Sequence, residues 1–287
     1  MEKQEQSHPI FYQIIPGSVL CTIFFDLVGS AWTMASFWPK VEPLNCWGEK
    51  KVTWSIIAHD NTTGAFGIAA ASRFFALGAL VPWIKSGVGA VATQAMINPR
   101  LGPTILECLD HGQSVGAALE ASWAQDPNGS VRQVHVLDAY GNRAAHTGGD
   151  CINWCGDVGG PGISVAGNML VGRQVLQACL ETYRDQAALP FAARLLHSLL
   201  AGDGVGGDKR GRQSAVLKIY TGEVYPDWDI RVDDHPDAPN ELARIYAVGQ
   251  GTFAAFKNLM PIEANPAGIA DPVQVAAVRA RTEENCE

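Results

Sequence analysis

The sequence has little charge and no long run of one sign. Charged residues make up 17% of the 287-residue chain, its formal net charge at pH 7 is −8, and lysine and arginine never occur more than two in a row. Proteins that bind nucleic acids carry basic patches or stripes that attract phosphate. We therefore expect no nucleic-acid partner.

Cysteine is sparse and irregularly spaced. The chain has seven cysteines, and an odd number argues against a complete disulfide framework. Cys151 and Cys155 lie near His146, but the spacing is not a standard zinc pattern and no second ligand pair follows. We predict ordinary buried thiols, no metal site, and the reducing cytoplasm as the compartment.

Two familiar sequence patterns of enzymes are missing or out of context. No cysteine can be paired with a histidine from spacing alone, and the seven histidines are scattered, so each is interpreted as structural and an ordinary catalytic triad finds no support. The segment GDGVGG at residues 202–207 matches a dinucleotide-binding pattern but follows a predicted helix instead of a strand. It is interpreted as a loop, and no organic cofactor is predicted.

Uninterrupted apolar runs are also lacking. The most apolar early segment, IIPGSVLCTIFFDLVGSAW, is broken by Pro16, Gly17 and Asp26, and more glutamate than lysine precedes it. A membrane span needs about 20 apolar residues, and a secretory signal needs a basic start. No membrane partner is expected, although a targeting role for residues 1–52 stays an alternative.

Apolar residues, by contrast, are plentiful at 47%, and from residue 52 onward they follow secondary-structure periods. VTWSIIA alternates as a strand, with Thr53, Ser55 and Ile57 on one face, and DNTTG supplies a turn into a second strand. A third strand, VGAVATQ, precedes two helices, the second capped by Ser114. Next come two strands around a turn at residues 138–142 and a strand in GISVAGNML. Two helices, the strand RQSAVLKIYTG and a helix in PNELARIYAVG complete the order.

This order of elements indicates the fold class. Adjacent hairpins exclude a simple parallel α/β fold, because parallel strands need crossover connections. We predict an α+β fold in which two antiparallel sheets stack with helix layers outside, a four-layer αββα sandwich. Residues 1–52 form an extension, residues 53–249 form one domain, and residues 250–287 form a peripheral C-terminal tail.

Polar residues inside apolar runs mark a candidate pocket. They interrupt or end predicted strands, and buried polar groups need partners. One interpretation is structural, with Arg73 paired to Asp208; the other is a shared polar pocket at the strand ends. The candidate substrate-binding residues are Ser72, Arg73, Gln94, Asn98, Asp208 and Arg212, and Asn168 belongs to the same set of polar residues.

Several long motifs resemble one family, in the same order along the chain. They are TWSIIAHDNTTGAFGIAAASRFFALGALVPWIKSGVGAVATQAMINPRLGP, VRQVHVLDAYGNRAAHTGGDCINW, GNMLVG and GGDKRGRQSAV. From Thr53 to about Ala247 the chain resembles the bacterial and archaeal family of unknown function 1028, which is grouped with the N-terminal nucleophile (Ntn) hydrolases. The resemblance implies the αββα sandwich and an amidohydrolase mechanism, without a substrate.

Members of that family usually start Met-Thr-[Phe/Trp]-Ser, so loss of the methionine exposes a threonine, and Thr53 corresponds to it here. A threonine hydroxyl is a weak nucleophile that needs a base, and a terminal α-amine with a pKa of about 7.7–8.0 can supply one. Thr53 is thus the predicted nucleophile and base, and the resemblance implies Asn168 as the oxyanion donor, by analogy with the asparagine amides that other Ntn hydrolases use. Arg73 and Arg212 are expected to hold a substrate carboxylate, whereas Lys85 is interpreted as a surface charge.

The sequence just before Thr53 suggests how its amine becomes free. Gly48 and Glu49 can be encoded by a ribosome-binding sequence, and Val52 can be GTG, an alternative start codon. We predict translation from Val52 followed by removal of the initiator residue; self-cleavage and a genuine extension are the alternatives. The predicted function is hydrolysis of an amide or related C–N bond in a small polar molecule. The alternative function is a catalytically silent ligand-binding module. Assembly into a homo-oligomer is a further expectation that the sequence leaves open.

Overall fold

The computed structural model describes residues 53–124, 126–208 and 211–284, without the side chains of residues 252 and 281–284. The predictions for residues 1–52, including the start at Val52, lie outside the described residues.

The strands of the described chain form two antiparallel sheets. The six-stranded sheet has the order β10-β9-β2-β1-β8-β7, and the four-stranded sheet has the order β3-β4-β5-β6. The first sheet consists of β1 (Thr53–Asp60), β2 (Ala65–Ser72), β7 (Gly156–Gly160), β8 (Ile163–Asn168), β9 (Ser214–Tyr220) and β10 (Trp228–Val232). The second consists of β3 (Pro82–Lys85), β4 (Gly89–Ala95), β5 (Arg132–Asp138) and β6 (Arg143–Thr147).

Two pairs of helices lie between groups of strands, and the other described helices follow the last strand. They are α1 (Leu101–Asp110), α2 (Val115–Trp123), α3 (Gln174–Asp185), α4 (Phe191–Gly204), α5 (Ala238–Gly249), α6 (Thr252–Lys257) and α7 (Pro272–Glu284). The predicted Ser114 cap is confirmed, since the Ser114 side chain accepts a hydrogen bond from the Ala117 amide at 3.3 Å. None of the described helices is long and apolar enough to span a bilayer.

Three layers of buried side chains separate four layers of secondary structure. Ile57, Ile68 and Leu137 belong to the core between the two sheets. A second core, which includes Trp54, joins the six-stranded sheet to α3 and α4, and a third joins the four-stranded sheet to α1 and α2. The predicted αββα sandwich is therefore confirmed.

The central strand β1 is buried on both faces. Trp54 and Ile56 belong to the helix-side core and Ile57 to the inter-sheet core, and each is 0% exposed. Side chains alternate across a strand, so Thr53 and Ser55 share the inter-sheet face with Ile57. A polar residue on this face lies between two sheets instead of in solvent, and it needs a hydrogen-bond partner there.

The sequence missed β3, β7 and β10 and the helices α6 and α7. β3 begins with a proline, and β7 has the sequence GDVGG, in which three of five residues are glycine. Both compositions are unfavourable for strands, and proline is tolerated mainly at sheet edges. β3 and β7 are indeed edge strands, and β10 is the other edge of the six-stranded sheet.

Candidate functional site

Four polar residues lie side by side across four neighbouring strands. Thr53 on β1 is paired with Ser72 on β2 and with Asn168 on β8, and Ser72 is paired with Ser214 on β9. Residues directly opposite each other in antiparallel strands point to the same face. We call Ser214, Ser72, Thr53 and Asn168 the polar row.

The hydroxyl groups within the polar row are hydrogen-bonded. The Thr53 hydroxyl donates to the Ser72 hydroxyl at 3.2 Å. Ser214 accepts from the Leu77 amide at 3.2 Å and donates to the Phe74 carbonyl, so it fixes the chain segment that follows β2. Thr53 is only 3% exposed in the full chain. The row therefore places a buried threonine hydroxyl on the inter-sheet face, where its neighbours are polar.

Asn168 is tied to the opposite sheet. Its Nδ2 group donates to Gln133 Oε1 at 3.0 Å, and Gln133 lies on β5. Gln94 on β4 also donates to Gln133 Oε1, at 2.8 Å, and its own Oε1 accepts from Ser55 Oγ at 2.9 Å. Ser55, Gln94, Gln133 and Asn168 are all at most 2% exposed. These side chains form a hydrogen-bonded bridge between the sheets, next to Thr53.

His135 extends this bridge on β5. Its Nε2 lies 2.8 Å from Ser55 Oγ and its Nδ1 lies 3.0 Å from Ser164 Oγ. The ring is fully buried, and this burial, together with the charge of Arg143, lowers the pKa of His135 to about 3. His135 is therefore neutral near pH 7. We call Ser55, Gln94, Gln133, His135, Ser164 and Asn168 the inter-sheet network.

Two strands end in left-handed backbone directly beside this network. Gln94 is followed by Ala95 with φ 65°, and Asn168 is followed by Met169 with φ 54°. Residues other than glycine rarely adopt this conformation, and such strain occurs often at functional sites. The positive-φ residues end β4 and follow β8, each directly after a polar residue of this network, Gln94 or Asn168.

Asp208 lies beside the polar row. The Arg73 backbone amide donates to Asp208 Oδ2 at 3.2 Å, and Asp208 forms a β-bridge with Leu170. Asp208 therefore contacts chain segments that leave β2 and β8, the strands that flank β1. Its carboxyl group is buried, whereas Arg73 is exposed. The predicted association of Arg73 with Asp208 includes a bond to the Arg73 backbone.

Two other predicted site residues, Arg212 and Asn98, form their hydrogen bonds with residues outside the polar row. The Arg212 guanidinium forms an ion pair with Asp203 at the end of α4, and that hydrogen bond raises the pKa of Arg212. Asn98 donates to Asp126 Oδ2 at 2.7 Å, in a loop that Arg132 also ties together. The structure thus brings Thr53, Ser72, Gln94, Asn168 and Asp208 together, whereas the contacts of Asn98 and Arg212 join other elements.

The surface grooves, the thiols and Lys85 of the described chain give no comparable candidate site. Two surface grooves of about 420 and 500 Å³ are lined by residues of β7 with α3, and of β3 with α1, and neither includes a member of the polar row. Burial raises the pKa of the Cys151 and Cys155 thiols, which therefore stay protonated. Among the described residues, no group of three His, Cys, Asp or Glu side chains could hold a metal ion. Lys85 pairs with Asp110 at the surface.

Sequence reasoning missed Gln133, His135, Ser55 and Ser164 as a connected group. In VRQVHVLD the polar residues Gln133 and His135 alternate with valines, which is the pattern of a strand with one face in solvent. The αββα architecture covers both faces of β5. With the sandwich already predicted, that alternation of polar residues could have identified them as partners of the Thr53 face.

Comparison with known proteins relates the chain to one family. Residues 53–242 match the model of a family of unknown function, DUF1028. The chain is similar to the crystal structure of protein SPO2555 from Silicibacter pomeroyi, which carries the same family description, with 31% identity and a TM-score of 0.71. That similarity covers 77% of this chain and 100% of the other.

A more distant similarity is to Anbu (ancestral beta-subunit) from Yersinia bercovieri. The identity is 10%, the TM-score is 0.34, and the similarity covers 73% of this chain and 99% of that one. No curated protein matches the sequence.

Proposed function

The chain belongs to the DUF1028 family of unknown function, and from this starting point we propose that it is an N-terminal-threonine hydrolase. In this proposal the working protein begins at Thr53 and cleaves an amide or related C–N bond of a small polar molecule in the cytoplasm. Removal of the residues before Thr53 frees its α-amine, since the same nitrogen in a peptide bond is not basic.

One observation carries the proposal, namely the placement of Thr53 in the polar row. The family match begins at Thr53 itself, and this residue is the first of the central strand. Its hydroxyl is hydrogen-bonded to Ser72, and an asparagine amide lies directly opposite on β8. A nucleophile, a base on the same residue and an adjacent amide donor are the groups that acyl transfer requires.

The proposed reaction has two steps. The Thr53 Oγ attacks the substrate carbonyl carbon while the α-amine takes the hydroxyl proton, and Asn168 Nδ2–H stabilises the oxyanion. The C–N bond then breaks as the α-ammonium returns the proton to the leaving nitrogen, and an ester with Thr53 remains. Water, deprotonated by the same amine, attacks the ester carbonyl carbon. The ester C–O bond breaks, the α-ammonium returns the proton to Thr53 Oγ, and the acid is released.

Arginine stays our candidate for binding a carboxylate on the substrate. Arg73 is exposed and follows Ser72 of the polar row. Arg212 contacts Asp203 through Nε, and a guanidinium has five N–H donors, so its terminal amino groups can still bind a second anion. Ser72, Gln94, Asn98 and Asp208 complete the proposed substrate-binding set, and no cofactor is part of the proposal.

A comparison of four proteins tests the proposal. They are the chain that starts at Thr53, the same chain with one extra N-terminal residue, Thr53→Ser and Thr53→Ala. Each is incubated with an activated ester such as p-nitrophenyl acetate and with a panel of small amides, ureas and acyl-amino acids. Intact mass reports acylation, and product formation reports turnover.

We expect a fixed order of rates. The chain that starts at Thr53 is active and Thr53→Ser keeps part of this activity, because the hydroxyl and the amine both survive. The capped chain loses about 10²–10⁴-fold, the usual contribution of a general base, and Thr53→Ala loses at least as much. Equal rates of the capped and free chains would overturn the proposal and favour the rival, a catalytically silent binding module.

A further inference from the structure

The orientation of the Gln133 amide is determined by its surroundings. Its Nε2 lies 2.9 Å from the Gly167 carbonyl oxygen, 3.2 Å from the Gly156 carbonyl oxygen and 2.8 Å from Thr147 Oγ1. Backbone carbonyl oxygens only accept hydrogen bonds, so the amide nitrogen of Gln133 must face them. Gly156 and Gly167 belong to neighbouring strands, β7 and β8. Gln133 of the four-stranded sheet is thereby locked onto the six-stranded sheet.

This orientation determines how the Asn168 amide is turned. With its nitrogen facing the carbonyl groups, Gln133 presents Oε1 to Asn168 and to Gln94. An oxygen there can only accept, so Asn168 must present its nitrogen, Nδ2, to Gln133. One Nδ2 hydrogen is used in this bond and the second remains. Among the described residues, Gln133 is the hydrogen-bond partner of the Asn168 side chain.

The same logic extends in the other direction. Gln94 also presents its nitrogen to Gln133, so its Oε1 is left to accept the hydrogen of Ser55 Oγ. The Ser55 hydrogen is then used, and the 2.8 Å contact with His135 requires that His135 Nε2–H donates to Ser55. Ser164 Oγ in turn donates to the unprotonated His135 Nδ1 at 3.0 Å. Each hydrogen bond that links the side chains of the inter-sheet network to one another therefore has one assigned direction.

We propose that Gln133 is a positioning residue that holds the Asn168 amide with its N–H donors toward the reaction centre at Thr53. This inference rests on the proposed function. If the Asn168 amide were reversed, its oxygen would replace the donor and repel a developing oxyanion instead of stabilising it. Preorganised donors are effective because they need no reorientation during the reaction. Gln133 itself does not contact the substrate in this scheme; it acts through Asn168.

A double-mutant cycle on the chain that starts at Thr53 tests this role. Asn168→Ala and Gln133→Met are made singly and together, and acylation by p-nitrophenyl acetate is followed by mass. We expect about a 10²–10³-fold loss for Asn168→Ala, as for other oxyanion donors, and about a tenfold loss for Gln133→Met. The double variant should be no slower than Asn168→Ala alone, because Gln133 affects the reaction only through the orientation of Asn168. Independent, multiplying losses would overturn the proposal.

Ser164→Ala is the matched control, since it removes a buried polar group from the far end of the same network. It should lower stability, as Gln133→Met does, but leave the acylation rate within about twofold of the starting chain, since Asn168 and Gln133 stay bonded. If Ser164→Ala slowed acylation as much as Gln133→Met at equal loss of stability, the role of Gln133 would be structural only.

Nitrogen NMR separates this inference from the proposed function. The side-chain amide of Asn168 should give two well-separated proton signals, and Gln133→Met should bring them together. The His135 spectrum should show the Nε2–H tautomer. If Thr53 is acylated but the Asn168 signals are the same with and without Gln133→Met, the positioning role alone is overturned. An absence of acylation in the starting chain would remove the proposed function and this role with it, whatever the orientation of Asn168.

Discussion

At the scale of single residues, the buried imidazole of His135 makes stability depend on pH. Its pKa is lowered to about 3 in the folded protein, mainly by burial, against an ordinary value of 6.5. The unfolded chain therefore binds this proton more readily, and stability falls as the pH decreases from about 6.5 toward 3. Above pH 6.5 the ring is neutral in both states and contributes no pH dependence.

We predict that the free energy of unfolding decreases by up to about 1.4 kcal/mol per pH unit between pH 6 and pH 4 because of His135. Urea denaturation at several pH values measures this slope. The control is His135→Gln, which should flatten that part of the profile and leave the part due to carboxyl groups below pH 4. An unchanged slope in His135→Gln would show that other groups cause the loss.

The residues of the site differ in how far the sequence reveals them. Ser72, Gln94 and Asn168 could be predicted because each interrupts or ends an apolar strand, where a polar residue is unexpected. Gln133 and His135 were missed because polar residues that alternate with valine are typical of a solvent face, and only the covering of both faces of β5 in the sandwich gives them another meaning. Which polar residues meet depends on the pairing register, and Thr53 opposite Asn168 is set by strands that are distant in sequence.

At the scale of elements, the contact of α3 with α4 depends on one glycine near the site. Gly202 of α4 faces Cys179 of α3 and the indole of Trp54, the residue after Thr53. A Cβ at Gly202 would lie 2.4 Å from Cys179 Sγ and 3.2 Å from Trp54 Nε1. Because Gly202 has no side chain, the helix layer can lie directly against β1.

We predict that Gly202→Ala destabilises the protein by about 1–3 kcal/mol, the usual cost of overpacking. Gly204→Ala is the control in the same helix, because a Cβ there meets nothing within 4 Å and alanine favours the helix. Urea midpoints should fall for Gly202→Ala and stay equal or rise for Gly204→Ala. A similar fall in both variants would argue against the close packing of Trp54.

Elements were predictable where their residues follow a clear period. The β1–β2 hairpin follows from alternation around DNTTG, and the helices α1 to α5 follow from apolar periodicity, with a serine cap at the start of α2. The short edge strands β3, β7 and β10 have four or five residues each, too few for a period to stand out. They are strands because a neighbour completes their hydrogen bonds, which is a tertiary effect.

At the scale of the whole molecule, the residues after α5 contribute to packing around Trp228. Trp228 of β10 contacts Phe253 of α6 with ring centroids 5.3 Å apart, and Lys257 lies 4.9 Å above its ring. Lys257 also pairs with Asp227 at 2.8 Å. The part of the predicted C-terminal tail that includes α6 therefore packs against β10.

We predict that ending the chain after residue 250 lowers the free energy of unfolding by about 2 kcal/mol, since Phe253 and the cation–π contact of Lys257 are lost. Ending the chain after residue 271, which removes α7 but keeps α6, should cost less than half as much. Chemical denaturation measures both. The shorter chain should also show a red-shifted tryptophan emission that disappears in a Trp228→Phe background; equal stability of the two truncations would contradict this assignment.

The position of β1 between β2 and β8 has a consequence for the order of events during synthesis. The ribosome releases β2 soon after β1, so the hairpin that holds Thr53 and Ser72 can form early. Asn168, the second cross-strand neighbour of Thr53, leaves the ribosome only after α1, α2 and β5 to β7 have emerged. Until then, one side of Thr53 is open to a processing peptidase on the growing chain. For the maturation that the proposed function requires, we therefore expect removal of the residues before Thr53 to be most rapid while synthesis is still in progress, before the completed sandwich buries that end of β1.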